Sequence, residues 1–309
     1  MTRLTRRSAI TLTAAAALGL TACGGGSDPL SSSTSTSGGG SEDGGKAVVV
    51  GSADFSESIL LAEIYAGALR AKGVDASTKT GIGSREVYLK ALEDGSISVV
   101  PEYTGALALY YDQEFAETDP DKTYDAAEEV VPDGLELLEK SAAEDNDALV
   151  VTKETADSKG LKTIEDLQPI AKDLTLAAPA EFKDRAQGIP GLKKTYDIEF
   201  GTFRPLKAGQ AMVQALKNGQ VDVANIFSTD PNIPANDFVV LEDTKKLYGS
   251  QNVVPLVRED VEDDVDDVLD EVSKALTTEK LSELLQQTDI QKKDHKEVAE
   301  GFLKDAGLA

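Results

Sequence analysis

Short apolar runs alternate with amphipathic stretches through most of this chain, and that alternation predicts an α/β fold built on parallel strands. Ala47 to Val50 is an apolar run of the kind that forms a buried parallel strand. It gives way at Gly51-Ser52-Ala53-Asp54-Phe55. Asp54 and Glu57 have the spacing of a capping box. Ile59, Leu60, Ile64, Ala68 and Leu69 then recur at helical spacing until Gly73 ends the helix. Gly81-Ile82-Gly83-Ser84 reads as a turn opening a second helix, which closes at Gly95. Ile97 to Val100 is the next strand, halted by Pro101, and it delivers Glu102-Tyr103-Thr104-Gly105.

The second half of the chain follows the same plan. Leu174-Thr175-Leu176-Ala177 reads as a strand, and Ala180-Glu181-Phe182 after it echoes Ala53-Asp54-Phe55. A longer echo joins Ala91-Leu92-Glu93-Asp94-Gly95-Ser96-Ile97-Ser98-Val99 to Ala215-Leu216-Lys217-Asn218-Gly219-Gln220-Val221-Asp222-Val223. The offset is constant, and it carries Tyr103 onto Phe227. Any helix–Gly–strand unit resembles the first part of this match. Two lobes of similar topology account for all of it, including the paired aromatics. In open α/β sheets, ligands bind beyond the carboxyl ends of the strands. Facing lobes would put Tyr103 and Phe227 on opposite walls of one cleft, with Thr104, Ser228, Thr229 and Asp230 beside them. Helix N-termini at Ser84 and near Asp54 would direct N–H groups into the same space.

Ahead of this body the composition changes twice. Arg3, Arg6 and Arg7 precede an uncharged apolar stretch, Ala9 to Leu20, followed by Leu20-Thr21-Ala22-Cys23. The stretch is shorter than the ~20 residues a membrane-spanning helix needs, so residues 1–22 read as a signal peptide. Thr5-Arg6-Arg7-Ser8 leaves both the general and the twin-arginine export routes open. Residues 24–45 are almost all Gly, Ser, Thr and acid, a flexible linker with nothing to bury. The ending at Cys23 is similar to the bacterial lipobox. That resemblance implies a lipid on Cys23 and a protein tethered to the outer face of a membrane.

Charge narrows the function. The formal net charge is −24, and it becomes more negative when three arginines leave with the leader. Nucleic acid as a partner is therefore excluded, since phosphates need a basic footprint, as is a polybasic grip on anionic lipid. Such a surface favours cationic ligands through long-range steering. Aromatic residues make up 5% of the chain and Trp is absent, so each Tyr or Phe near a candidate site carries weight. With one cysteine, no disulfide or Cys–His nucleophile is expected in the fold. His295, the one histidine, falls in a charged helical stretch and reads as a solvated surface residue. No zinc spacing, triad or phosphate loop is legible, so neither metal, cofactor nor catalysis is expected. The acidic run Glu259 to Glu271 lacks the pattern of a calcium loop. It reads as a solvated helix face with Val261, Val265, Val268, Leu269 and Val272 turned inward.

Several segments together resemble the substrate-binding proteins of osmoprotectant ABC transporters, which take up glycine betaine, choline and related quaternary amines. They are Val50-Gly51-Ser52-Ala53-Asp54-Phe55-Ser56-Glu57, Gly81-Ile82-Gly83-Ser84, Pro101-Glu102-Tyr103-Thr104-Gly105, Gly160-Leu161-Lys162-Thr163-Ile164-Glu165-Asp166-Leu167 and Phe227-Ser228-Thr229-Asp230, with Phe182, Arg185, Gly188 and Pro190-Gly191-Leu192. Their order and spacing run through residues 46–309. The resemblance implies a two-lobed α/β periplasmic-binding-protein fold with two inter-lobe crossings (type II). Lobe 1 would comprise residues 46–147 plus 255–309, and lobe 2 residues 148–254. It also implies an ABC permease and ATPase as partners, a small-molecule ligand, and a monomer.

The same resemblance makes Tyr103 and Phe227 walls of an aromatic cage that holds a quaternary ammonium by cation–π attraction. Arg185 would face an anionic ligand group. The pattern departs at Asp147 and Gln251, each where a Tyr is usual, at Ala53 in place of Lys, and at Ala106 in place of Thr. Half the cage would thus be polar, favouring a ligand with hydrogen-bond donors, and Asp147 or Glu86 could supply charge in place of lost rings. Ser52, Ser84, Thr104 and Thr229 complete the candidate binding set. Three readings follow: a transport binding protein for a choline-like or more polar amine such as ergothioneine or an amino acid, a ligand-sensing lipoprotein of the same fold, and, without visible catalytic residues, an extracytoplasmic enzyme.

Overall fold

A computed structural model describes residues 47–309. The predicted leader, Cys23 and the linker to residue 45 lie outside the described residues. Among the described residues, no helix is long and apolar enough to cross a membrane.

Strands β1 (Val48–Ala53), β2 (Ala76–Gly83), β3 (Val99–Tyr103) and β4 (Leu135–Leu137) come first. Strands β5 (Asp147–Thr152), β6 (Thr175–Ala178), β7 (Thr202–Pro205), β8 (Val223–Phe227) and β9 (Phe238–Val240) follow, and β10 (Val253–Arg258) comes last. They form two sheets, in the orders β2-β1-β3-β10-β4 and β7-β6-β8-β5-β9. The orders correspond position by position. β3 and β8 are the central strands, each parallel to one neighbour and antiparallel to the other. The sequence echo thus marks equivalent central strands, each ending in its aromatic residue, Tyr103 or Phe227.

The chain passes between sheets twice. Asp147 already pairs with Phe227 in the second sheet, and Val253 already pairs with Tyr103 in the first. The strand bounds therefore fall one residue and two residues away from the boundaries expected at residues 147 and 255. An isolated bridge between Glu144 and Asn252 ties the two crossings together.

Helix α1 (Ser56–Ala71) buries Leu60, Leu61, Ile64, Tyr65 and Leu69 against β1 and the C-terminal helices that span Glu262–Ala275, Thr278–Leu285 and His295–Ala306. Each such leucine contributes roughly 1.5–3 kcal/mol by leaving water. On the helix Glu262–Ala275, Val265, Leu269 and Val272 are buried and Val268 packs against them, the inward face that its pattern predicts. Helices α2 (Arg85–Glu93) and α3 (Thr104–Tyr111) cover the other side of the first sheet, with Tyr88, Leu89, Leu92 and Leu107 in its core.

Four local expectations are corrected. Gly81 to Gly83 continue β2, opposite an irregularity in β1 between Gly51 and Ala53. Pro101 does not halt β3. It stands opposite Pro255, where neither strand needs the other's N–H. Asp54 and Glu57 form no capping box: α1 starts from Phe55 without a side-chain cap. His295 is half-buried, its Nε2 lying 2.9 Å from the Ser56 hydroxyl in the first turn of α1.

Candidate ligand-binding cleft

The C-terminal ends of β1, β3, β6 and β8 converge on a cavity of about 350 Å³, within the usual size for a small-molecule site. Its apolar wall is a run of three rings. Phe55 is the middle one, with ring centroids 6.3 Å from Tyr103 and 5.1 Å from Phe227. Phe182 adds a fourth aromatic from the second lobe. Each ring follows from local structure: Tyr103 and Phe227 end the central strands, while Phe55 is the extended residue at which α1 begins.

The charges on the wall divide unevenly. Every cationic side chain there is already paired. Arg85 meets Glu102 through two nitrogens at 2.9 and 3.0 Å, Arg185 meets Glu86 at 3.3 Å, and Lys207 meets Asp54 at 2.6 Å. Glu102 is fully buried and also accepts the Tyr88 hydroxyl and the Tyr103 N–H. By contrast Asp145, Asp147 and Glu181 line the cavity and, among the described residues, make no ion pair. Asp147 accepts an amide hydrogen bond from Asn225 at 2.9 Å, and burial raises its pKa despite that bond.

Behind Tyr103 lies a second pair of acids. Glu57, on the first turn of α1, accepts the Tyr103 hydroxyl at 2.7 Å. Its other oxygen lies 2.6 Å from the Thr229 hydroxyl, which is also 2.9 Å from Asp145. Desolvation pushes the Glu57 carboxyl up, and it pushes Asp145 well above the carboxylate range, where Glu57's charge adds to it. The two acids titrate as a pair.

Comparison with known proteins agrees with this geometry. Residues 46–305 match the OpuAC family, the substrate binding domain of ABC-type glycine betaine transport systems. The chain is 26% identical to the glycine-betaine-binding protein of Pseudomonas aeruginosa, over 84% of this chain and 88% of that one. It is also 26% identical to a carnitine transport binding protein of Listeria monocytogenes, over 75% of this chain and 77% of the other. A crystal structure of a glycine betaine/carnitine/choline ABC transporter protein superposes with a TM-score of 0.67 at 25% identity, covering 84% of this chain and 99% of that one. The chain belongs to the OpuAC family.

It is a substrate-binding protein of ABC transport, in a family of ligand carriers that work with permease partners rather than a family of enzymes. Within this OpuAC protein the predicted site residues separate. Tyr103, Phe227, Asp147, Arg185, Gln251 and Ser84 line the cavity, as do Ala53 and Ala106. Ser52, Thr104, Glu86 and Thr229 do not. The Ser52 hydroxyl donates to the Ala53 carbonyl and accepts Gly81 N–H. Thr104 is buried and accepts the Asn252 N–H. Glu86 sits beside a separate depression with Tyr110 and Gln113, paired to Arg185. Thr229 stands behind the wall, on Glu57 and Asp145.

Gln251 also differs from expectation. Its carbonyl accepts the Ala106 N–H and its amide donates to the Tyr248 carbonyl, so the protein itself supplies its partners. Asn225 does the same for Asp147. Sequence reasoning missed Phe55, Asp145 and Asn225 on the wall and Glu57 behind it. The echo between Ala53-Asp54-Phe55 and Ala180-Glu181-Phe182 was a usable signal for Phe55, since both phenylalanines line the cavity.

Proposed function

We propose that this protein captures a small quaternary ammonium compound, choline-like before betaine-like, and passes it to its permease. The observation that carries this reading is the charge balance of the cavity: three unpaired acids and three adjoining rings face it, while each wall cation is already matched. A buried charge needs a partner, and a positive headgroup against Phe55, Tyr103 and Phe227 supplies one with added cation–π attraction. The polar tail would lie toward the start of α2 at Ser84. Ligands with a carboxylate find no unpaired cation on this wall, which sets choline ahead of glycine betaine and carnitine.

In this reading lobe 1 is residues 46–147 and 255–309 and lobe 2 the segment between, with the strands entered at Asp147 and Val253 marking the two crossings. Acylated Cys23 and the linker to residue 45 hold a monomer at the outer face of the membrane. Membrane fractionation checks the anchor: the protein should sediment with membranes, and Cys23→Ser should release it.

Isothermal titration with choline, glycine betaine, carnitine, ergothioneine and arginine tests the ligand class. Choline or another quaternary cation should bind most tightly and, at 100 times its Kd, add about 2.7 kcal/mol to stability. Tight binding of a neutral sugar or an anion, with no response to any amine, would sink the reading.

A further inference from the structure

The Glu57–Asp145 arrangement contains more acceptors than hydrogens. Thr229 has a single hydroxyl hydrogen, yet its oxygen lies within hydrogen-bonding distance of both carboxyl groups. Whichever carboxyl takes that hydrogen, the other is left facing the hydroxyl oxygen without one. One additional proton satisfies the set.

The surroundings favour keeping it. Glu57 and Asp145 are both buried. From β3, Tyr103 donates to Glu57. From the segment after β8, the Thr229 N–H (3.1 Å) and the Ser228 hydroxyl (3.3 Å) donate to Asp145. Asp289 adds negative charge toward Glu57, and it hydrogen-bonds Ser56, whose hydroxyl also meets His295. Among the described residues neither acid has an ion pair. Asp145 and the Tyr103 ring nevertheless face the cavity, so a cation on that ring would stand beside the pair.

We propose that this pair holds one proton while the cleft is empty and releases it when a quaternary ammonium docks, becoming the bound cation's counter-ion. The O–H bond breaks, its electrons stay on the carboxylate, and the proton leaves to solvent; the ligand forms no covalent bond. The proposal rests on the cation reading above. It makes Glu57 and Asp145 charge-selecting residues: a net positive ligand replaces the proton's charge, and a neutral one does not.

The sign of the pH dependence follows. Cation docking lowers the pair's affinity for its proton, so over the window between the bound and empty titrations binding strengthens as pH rises. One released proton corresponds to about tenfold in affinity per pH unit.

The test is calorimetric titration of the full-length protein with choline, from about pH 5 to about pH 8, in buffers of different ionisation enthalpy. The expected result is a buffer-dependent enthalpy reporting release approaching one proton, with affinity rising with pH. Asp145→Asn and Glu57→Gln should each abolish the release. Choline binding with buffer-independent enthalpy and flat affinity would overturn the proposal and leave the cation reading standing. Undiminished release in both variants would overturn it too, since the proton would come from elsewhere. If no amine binds, the cation reading falls and takes the proposal with it. The wild-type buffer comparison decides even if a variant does not fold.

Discussion

Phe55 illustrates how one residue can serve a helix start and a ligand wall together. Its extended backbone begins α1, and its ring sits between Tyr103 and Phe227. Truncation removes one cation–π face from a desolvated cation, worth ~1–2 kcal/mol. Phe55→Ala should therefore weaken choline binding by roughly 5- to 30-fold, read as Kd by titration calorimetry, with a secondary-structure spectrum like wild type. An unchanged Kd would remove Phe55 from the site. Residue identities of this kind were only partly legible in the sequence. Tyr103 and Phe227 stood out because a constant offset paired them and aromatics are scarce. Glu57 was not legible: Asp54 and Glu57 have capping-box spacing, and only the packing shows Asp54 drawn to Lys207 and Glu57 turned inward. Side-chain direction at a helix start is set by what lies across the cleft, information that local spacing does not contain.

At the scale of elements, the cleft depends on how β3 and α2 are held together. Arg85 opens α2, Glu102 lies in β3, and their paired contacts are buried with 8% and 0% of each side chain exposed. That pairing fixes the helix against the strand and neutralises a guanidinium on the cavity wall. Burial disfavours the charged guanidinium, but the adjacent Glu102 carboxylate outweighs this and holds the Arg85 pKa above its ordinary value. Removing one partner of a buried pair costs about 3–5 kcal/mol, because a charge is left uncompensated. Glu102→Gln should lower unfolding stability by that order in urea titrations, and a folded fraction should bind choline more weakly, since Arg85 would add positive potential to the cavity. Loss of stability without loss of affinity would mean that Arg85 does not act on the ligand. The elements themselves were largely legible, because apolar runs and glycine stops mark strands and helices directly. Pro101 misled, since a proline in a strand reads as a stop unless its partner position is known. Here the partner is Pro255, remote in sequence and visible only once the register is fixed.

At the scale of the whole molecule, the described conformation brings the lobes together through a few exposed links. Lys207 reaches Asp54 and Arg185 reaches Glu86 across the cleft, beside the Phe55–Phe227 contact. Both ion pairs are partly solvated, so each contributes only about 0–1 kcal/mol to closure and weakens as salt screens it. A ligand that touches both walls adds its own differential affinity, and that alone determines how far the equilibrium shifts. Asp54→Ala combined with Glu86→Ala should thus open the empty protein by up to about 30-fold in the closed/open ratio, while saturating ligand restores closure. The measurement is a distance distribution between spin labels at Lys90→Cys and Lys194→Cys, exposed sites on the two lobes. Cys23→Ser in the same protein leaves no competing thiol. Wild type should show one dominant short distance that loosens with salt, and the double variant a broad distribution that choline narrows. If salt and the double substitution leave the empty distribution unchanged, these pairs are not what holds the lobes together. Closure would then rest on the ring contact and the buried Thr229–Glu57 hydrogen bond, which salt does not screen.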